Sequence, residues 1–116
     1  MAAFDAPGPG VLAFLLAAAL DAYQEDVARL VRGPLDAAAY QRASRRLDEM
    51  RLYAAHLPLA SVAWVELMIR HFELAHGIWR RQRTPPEAVD LEPLHAQLRE
   101  AARRLEAKCG QLMAAA

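Results

Sequence analysis

The sequence lacks the features on which several classes of protein depend. Cys109 is the only cysteine among 116 residues, so no internal disulfide can form, and this favours a reducing compartment. Fourteen basic side chains balance fourteen acidic ones, which removes any general attraction to nucleic acid or to an anionic membrane. Extended runs of Val, Ile and Thr are also missing, so there is little from which to build a sheet. We therefore predict a helical protein that binds neither nucleic acid nor a membrane.

Long apolar runs are scarce as well. The apolar run at residues 11–20 is about half the length that a bilayer-spanning helix needs. The residues before it contain Asp5 and no Lys or Arg, so the positively charged start of a signal peptide is missing. We interpret the run as the start of a buried helix in a cytoplasmic protein.

What the sequence has in abundance is residues that form helices. Hydrophobic residues make up 55% of the chain, and Ala, Leu and Arg, all strong helix formers, are frequent. Apolar residues recur at alternating steps of three and four along four segments, at about 11–32, 37–57, 59–83 and 91–113. Similar lengths and short connections predict an all-α, antiparallel up-down four-helix bundle. Residues 11–113 would form this single domain, and residues 1–10 a disordered N-terminal tail.

Local signals mark the ends of these helices. Asp36 is the expected N-cap of the second helix, and Asp90 that of the fourth. Gly33 followed by Pro34 stops the first helix. Pro58 disfavours helical backbone at the residue before it, so it ends the second helix at residue 57 or kinks it into the third.

The third predicted helix is apolar on two sides. One row of residues, the Val62 stripe, follows strict steps of three and four and is expected to face the bundle core: Val62, Val65, Ile69, Phe72, His76 and Trp79. The nearly opposite row, the Trp64 stripe, consists of Trp64, Leu67, His71, Leu74 and Ile78. Between them runs a polar seam of Glu66, Arg70, Glu73, Gly77 and Arg81. Roughly two-thirds of the circumference is therefore apolar, whereas one bundle face needs a stripe of about 100°.

The excess apolar surface has to be covered, and two outcomes are open. The other helices of the chain could bury both stripes, or the Trp64 stripe could bind a partner protein or a second copy, with a dimer as the favoured form. We predict the second outcome, with Trp64, Leu67, His71, Leu74 and Ile78 as the partner-binding residues. The protein would then be a non-enzymatic adaptor, chaperone-like subunit or homo-oligomer without a cofactor. If His71 lies in such an interface, its protonation near pH 6 should weaken assembly.

An alternative is a metal-binding bundle, possibly redox-active. Glu73 with His76 and Glu92 with His95 form a pair of Glu-x-x-His motifs, and such motifs supply the ligands of ferritin-like dimetal sites. In an antiparallel bundle the end of the third helix lies beside the start of the fourth, so the two motifs would be neighbours. Glu92 has a simpler explanation, because an acid in the first turn of a helix is favoured by the helix dipole.

A more remote alternative is a ribonuclease. Arg51 precedes His56, and Arg70 precedes His76, at spacings of five and six residues. Arg followed by His at this distance resembles the catalytic pattern of the HEPN ribonuclease family, whose members are also small helical bundles. The resemblance covers two residues at a time, and the polar residue usual after the arginine is absent in both places. It implies ribonuclease activity with one of these pairs as the catalytic residues.

Overall fold

The computed structural model describes residues 7–83, 85 and 88–115, and no strand occurs among them. The helices are α1 (Pro9–Arg32), α2 (Ala37–Ala54), α3 (Ser61–Arg83) and α4 (Glu92–Ala115), with a short 3₁₀ turn at Pro58–Ala60. The predicted all-α four-helix bundle is confirmed. No helix in these residues is long and apolar enough to cross a membrane.

The first helix begins two residues earlier than predicted. Pro9 occupies the first position of α1, where a proline loses no hydrogen bond and its fixed φ suits the helix. Residues 9 and 10 therefore belong to the helix and not to the predicted N-terminal tail. Residues 1–6 of that tail lie outside the described residues.

Asp36 is the N-cap of α2 as predicted, whereas Asp90 lies one residue before the N-cap position of α4 and still bonds to its first turn. The Asp36 carboxylate accepts a hydrogen bond from the Ala39 amide at 3.0 Å, at the start of α2. The Asp90 carboxylate accepts one from the Glu92 amide, also at 3.0 Å, where α4 begins. Both satisfy amide groups that the first turn of a helix leaves without a partner.

The second helix is shorter than predicted, ending at Ala54 and not at residue 57. The amides of His56 and Leu57 bond to carbonyls three residues back, so the chain tightens after the last α-helical turn. Leu57 has φ −127° and ψ 77°, outside the helical region, because Pro58 follows it. A separate turn then leads into α3, so the chain does not run as one kinked helix.

The helices alternate in direction and pack in the order α2, α1, α4 and α3. Arg81 near the end of α3 bonds to carbonyls at the end of α1, so these two helices run the same way. The side chains that are almost fully enclosed come from all four helices: Leu16, Leu20, Tyr23, Met50, Leu67, Leu98, Leu105 and Cys109. Burial raises the pKa of the Cys109 thiol to about 11, which keeps it protonated and unreactive at neutral pH.

Candidate protein interface

The Trp64 stripe lies in the core of its own chain. Leu67, His71, Leu74 and Ile78 are buried, and Trp64 is half-buried against the same core. The stripe faces the centre of the bundle, where α1 supplies Tyr23. The prediction that this row is the exposed, partner-binding face is therefore wrong, because its side chains already have neighbours within the bundle.

The Val62 stripe, which we expected to face the core, lies on the outside of α3. Its large apolar side chains remain between half and four-fifths exposed: Val62 79%, Val65 54%, Ile69 52%, Phe72 58% and Trp79 55%. His76, in the same row, is also exposed. The two stripes have thus exchanged places. Binding of a partner through an apolar face of α3 stays a prediction. The Val62 stripe is now the face to which this prediction applies.

The polar seam explains the exchange, because its residues meet α4 and α1 and are only partly open to solvent. Glu66 pairs with Arg104 of α4, and Arg70 donates to Gln97 of α4 at 3.3 Å. A polar seam can pack against a neighbouring helix when its charges find partners there. The Trp64 stripe is thereby turned inward and the Val62 stripe outward.

Gly77 lies where α3 packs closely against the start of α4 and the residue before it. A Cβ placed there would lie 2.7 Å from Leu94 Cδ1 and 3.1 Å from Leu91 Cδ2. Glycine in a helix interior is unfavourable by itself, and it often marks a close approach. This glycine was the signal in the sequence that the seam faces another helix, and the sequence interpretation did not use it.

Arg81 ties the end of α3 to the end of α1. Its guanidinium donates to the carbonyl oxygens of Leu30 at 3.0 Å, Val31 at 3.2 Å and Gly33 at 2.9 Å. The last carbonyls of a helix have no partner within the helix. Arg81 satisfies them from the neighbouring helix, and it thereby joins the end of α3 to the end of α1.

His71 sits in the core with one polar partner. The Tyr23 hydroxyl lies 2.7 Å from His71 Nδ1, and burial lowers the pKa of His71, which keeps the imidazole neutral. With Nδ1 as the acceptor, Tyr23 is the donor, and burial raises the pKa of its phenol so that it keeps its proton. Assembly would depend on the protonation of His71 only if His71 lay in an interface. His71 lies in the core, so this condition is not met.

Trp79 is held at the end of the exposed row by its neighbours. The Arg83 guanidinium lies 4.7 Å from the centre of its ring, and the His76 imidazole stacks on it at 6.4 Å between ring centres. Beside it, a groove of about 330 Å³ separates the start of α2 from the end of α3. Leu35, just before α2, and Tyr40, within it, line the groove and are themselves partly exposed, so they extend the apolar surface sideways.

A second exposed apolar patch lies at the other end of the bundle, where the start of α1 meets the end of α4. Val11, Phe14 and Met113 line it. The sequence interpretation placed the start of α1 in the interior, because that segment is apolar on all sides. The structure buries only one side of it, including Leu12 and Leu16.

The residues of the two Glu-x-x-His motifs, the proposed metal ligands, contact other side chains of the protein. Glu73 pairs with Arg70 at 3.0 Å, and His76 stacks on Trp79. No group of three or more His, Cys, Asp or Glu side chains that could hold a metal ion occurs in residues 7–83, 85 and 88–115.

Glu92 and His95 both meet one arginine. Arg99 lies 3.1 Å from the Glu92 carboxylate and 2.8 Å from His95 Nδ1. Burial and then the nearby Arg99 charge lower the pKa of His95. The positive charge of Arg99 disfavours a metal cation at this point, so Glu92 and His95 do not fit a metal ion.

The arginines of the ribonuclease alternative also have other partners. Arg51 lies 3.7 Å from Asp48 on the exposed side of α2, and His56 is exposed in the turn that follows. Arg70 bonds to Glu73 and Gln97. Neither pair lines the groove between α2 and α3 or the patch at the start of α1.

Comparison of the chain with protein-family models, with curated proteins and with solved structures gave no match.

Proposed function

We propose that this protein is a non-enzymatic interaction module that binds another protein through the Val62 stripe of α3. The observation that carries the proposal is the row of five large apolar side chains, each more than half exposed and interrupted only by His76, along one helix. Homo-oligomer, adaptor and chaperone-like subunit are the roles that fit such a face. The proposal keeps the predicted kind of function and moves it to the opposite side of the helix.

The physical support is the cost of leaving this row in water. Scattered exposed apolar residues are ordinary, but contiguous patches beyond a few hundred Å² usually mark interaction sites. The stripe spans residues 62 to 79, which is about 25 Å of helix at 1.5 Å per residue. Its regular steps of three and four suit packing against a second helix, because side chains from one helix then fit between those of the other.

The aromatic residues of the stripe are the expected anchors. Phe72 stands near its middle and Trp79 near its end, and aromatic side chains carry much of the energy in protein interfaces. Trp79 is already held by His76 and Arg83. Binding would therefore cost little of its rotational freedom, which favours affinity.

A photo-crosslinking amino acid at position 69, in the full chain and in cells that make it, tests the proposal. We expect a defined protein product, whether a second copy or another protein, that disappears when Phe72→Glu is added. A photo-crosslinker at Asp48, on the exposed side of α2, is the matched control. Equal crosslinking from positions 69 and 48, or products that persist in Phe72→Glu, would contradict the proposal.

A further inference from the structure

We infer that the occupant of the Val62 stripe is the same stripe of a second copy, packed antiparallel about a two-fold axis near residues 70 and 71. This inference rests on the proposed function and names its partner. A two-fold axis perpendicular to the helix sets the surface against its own reverse, so the row has to be complementary to that reverse.

The order of residue sizes along the row meets this requirement. In an antiparallel pair centred between Ile69 and Phe72, the residue numbers of two facing side chains add up to 141. Val62 then faces Trp79 of the second copy, Val65 faces His76, and Ile69 faces Phe72. Each layer joins a β-branched aliphatic side chain to a ring, so the layers are of similar volume along the contact. Similar layers let two helices stay at one distance, because packed interfaces leave few voids.

A parallel pair would not have this property. Val62 would face Val62, and Trp79 would face Trp79, so one end would be loose and the other overcrowded. Voids and overpacking both destabilise a contact. The sizes therefore favour the antiparallel arrangement.

Charge favours the same arrangement. Arg83 continues the row one step beyond Trp79, and it lies over the Trp79 ring. A parallel pair would set Arg83 against Arg83, and like charges at one layer repel each other. In the antiparallel pair Arg83 lies beside the start of α3 in the second copy, near Pro58, and the two arginines are at opposite ends of the contact.

The exposed area is that of a weak dimer. Five side chains that are half to four-fifths exposed, together with the exposed Leu59 before them, offer roughly 500 Å² per copy at the areas typical of such side chains. Two copies would bury roughly 1,000 Å², which is near the lower limit of specific interfaces. For a contact of this size we expect a weak dimer, and we take a dissociation constant in the micromolar range as its working value.

Sedimentation velocity of the full chain, over roughly 1 to 200 μM to bracket a micromolar constant, tests the dimer. We expect a monomer–dimer equilibrium, weakened at least about thirtyfold by Phe72→Glu, which places a charge in both halves of the contact. Leu52→Glu, at an equally exposed apolar residue on α2, is the matched control and should leave the equilibrium unchanged. Circular dichroism should show that both variants are folded, because both side chains are exposed.

Disulfide formation tests the direction of the helices. Cys109 is fully buried, so an introduced surface cysteine can be followed in its presence. A mixture of Val65→Cys and His76→Cys proteins should form a mixed disulfide above the dissociation constant, and Val65→Cys alone should form none. In the antiparallel pair the two copies of position 65 are about 16 Å apart along the axis, too far for a disulfide.

Three results would overturn the inference. They are a monomer at every concentration, a dimer that Phe72→Glu leaves intact, and a disulfide between two Val65→Cys chains. A monomer that still crosslinks from position 69 to another protein would overturn the homodimer alone and keep the proposed function. A monomer without such crosslinks would overturn both.

Discussion

At the scale of single residues, His71 shows how a polar side chain can belong to an apolar core. Its imidazole accepts a hydrogen bond from Tyr23, and two helices that are distant in sequence are joined by this contact. A buried polar pair is tolerated because each group satisfies the other. Protonation would remove the acceptor at Nδ1 and bury a charge, so the contact depends on pH.

We predict that folding stability falls between pH 7.5 and pH 5.5, and that His71 causes part of the fall. Burial lowers the pKa of His71 in the folded chain, so the unfolded chain binds the proton more readily. Its contribution is complete above the unfolded pKa of about 6.5 and is lost as the pH falls below it. One such group changes the free energy of unfolding by at most about 1.4 kcal/mol per pH unit. Urea titrations at several pH values measure this slope.

The His71→Gln variant is the control for that slope. Glutamine can still accept a bond from Tyr23 but does not titrate. His95, whose pKa is also lowered, stays in both proteins, so the difference between them isolates His71. Parallel pH profiles for the two proteins would show that His71 does not titrate as its position requires.

At the scale of helices, the packing of α3 depends on two contacts made by its polar seam. Arg81 holds its end against α1, and Gly77 lets α4 come close. Neither contact involves the apolar stripes. Either stripe is apolar enough to be buried. The residues between the stripes therefore determine which of the two faces the core.

We predict that Arg81→Ala lowers the free energy of unfolding by about 1–2 kcal/mol, because three carbonyls at the end of α1 lose a charged donor. Arg81→Lys should recover only part of this loss, because an ammonium lacks the planar fork of the guanidinium. Arg103→Ala is the control. Arg103 pairs with Glu100 on the exposed side of α4, and the expected change is below about 0.5 kcal/mol. Similar losses at both positions would show that Arg81 is an ordinary surface arginine.

We also predict opposite responses at two helical glycines. Gly110 has open space around it, so Gly110→Ala should stabilise the chain by about 0.5–1 kcal/mol through better helix propensity. At Gly77 the same change should give no gain, because the new methyl group displaces Leu94 and Leu91. Thermal and urea unfolding of both variants measure the difference. An equal gain at Gly77 would mean that α4 does not pack closely there.

These helices also show what the sequence could predict. The cap at Asp36, the helix start near Asp90 and the break at Pro58 are local, so residue type and spacing were enough to find them. The inward side of α3 is not local. It depends on partners in α1 and α4. The two stripes are similarly hydrophobic, so periodicity alone could not show which of them faces inward. Gly77 was the available clue, and regular spacing was given more weight. Periodicity therefore found both apolar stripes of α3 and assigned the wrong one to the core.

At the scale of the whole molecule, the proposed dimer links folding to concentration. Only the folded chain presents the Val62 stripe as a row, so association stabilises the folded state by mass action. We predict that the melting temperature rises by about 2–5 °C between 1 μM and 100 μM protein for a micromolar dimer. Differential scanning fluorimetry over this range measures the rise, and Phe72→Glu should abolish it. A rise of the same size in Phe72→Glu would assign the effect to another surface, such as the patch formed by Val11, Phe14 and Met113.

The order in which the helices pack also bears on how the chain is made. The last helix, α4, packs against both α1 and α3, although α1 is synthesised first. The core therefore stays open on that side until α4 follows α3 out of the ribosome, which takes a few seconds at about 5–20 residues per second. During that interval the Trp64 stripe has neighbours only in the earlier helices, so both apolar stripes of α3 are accessible to other chains. Nascent chains on neighbouring ribosomes can then meet through the wrong stripe, and a chaperone that shields α3 would raise the yield of folded protein.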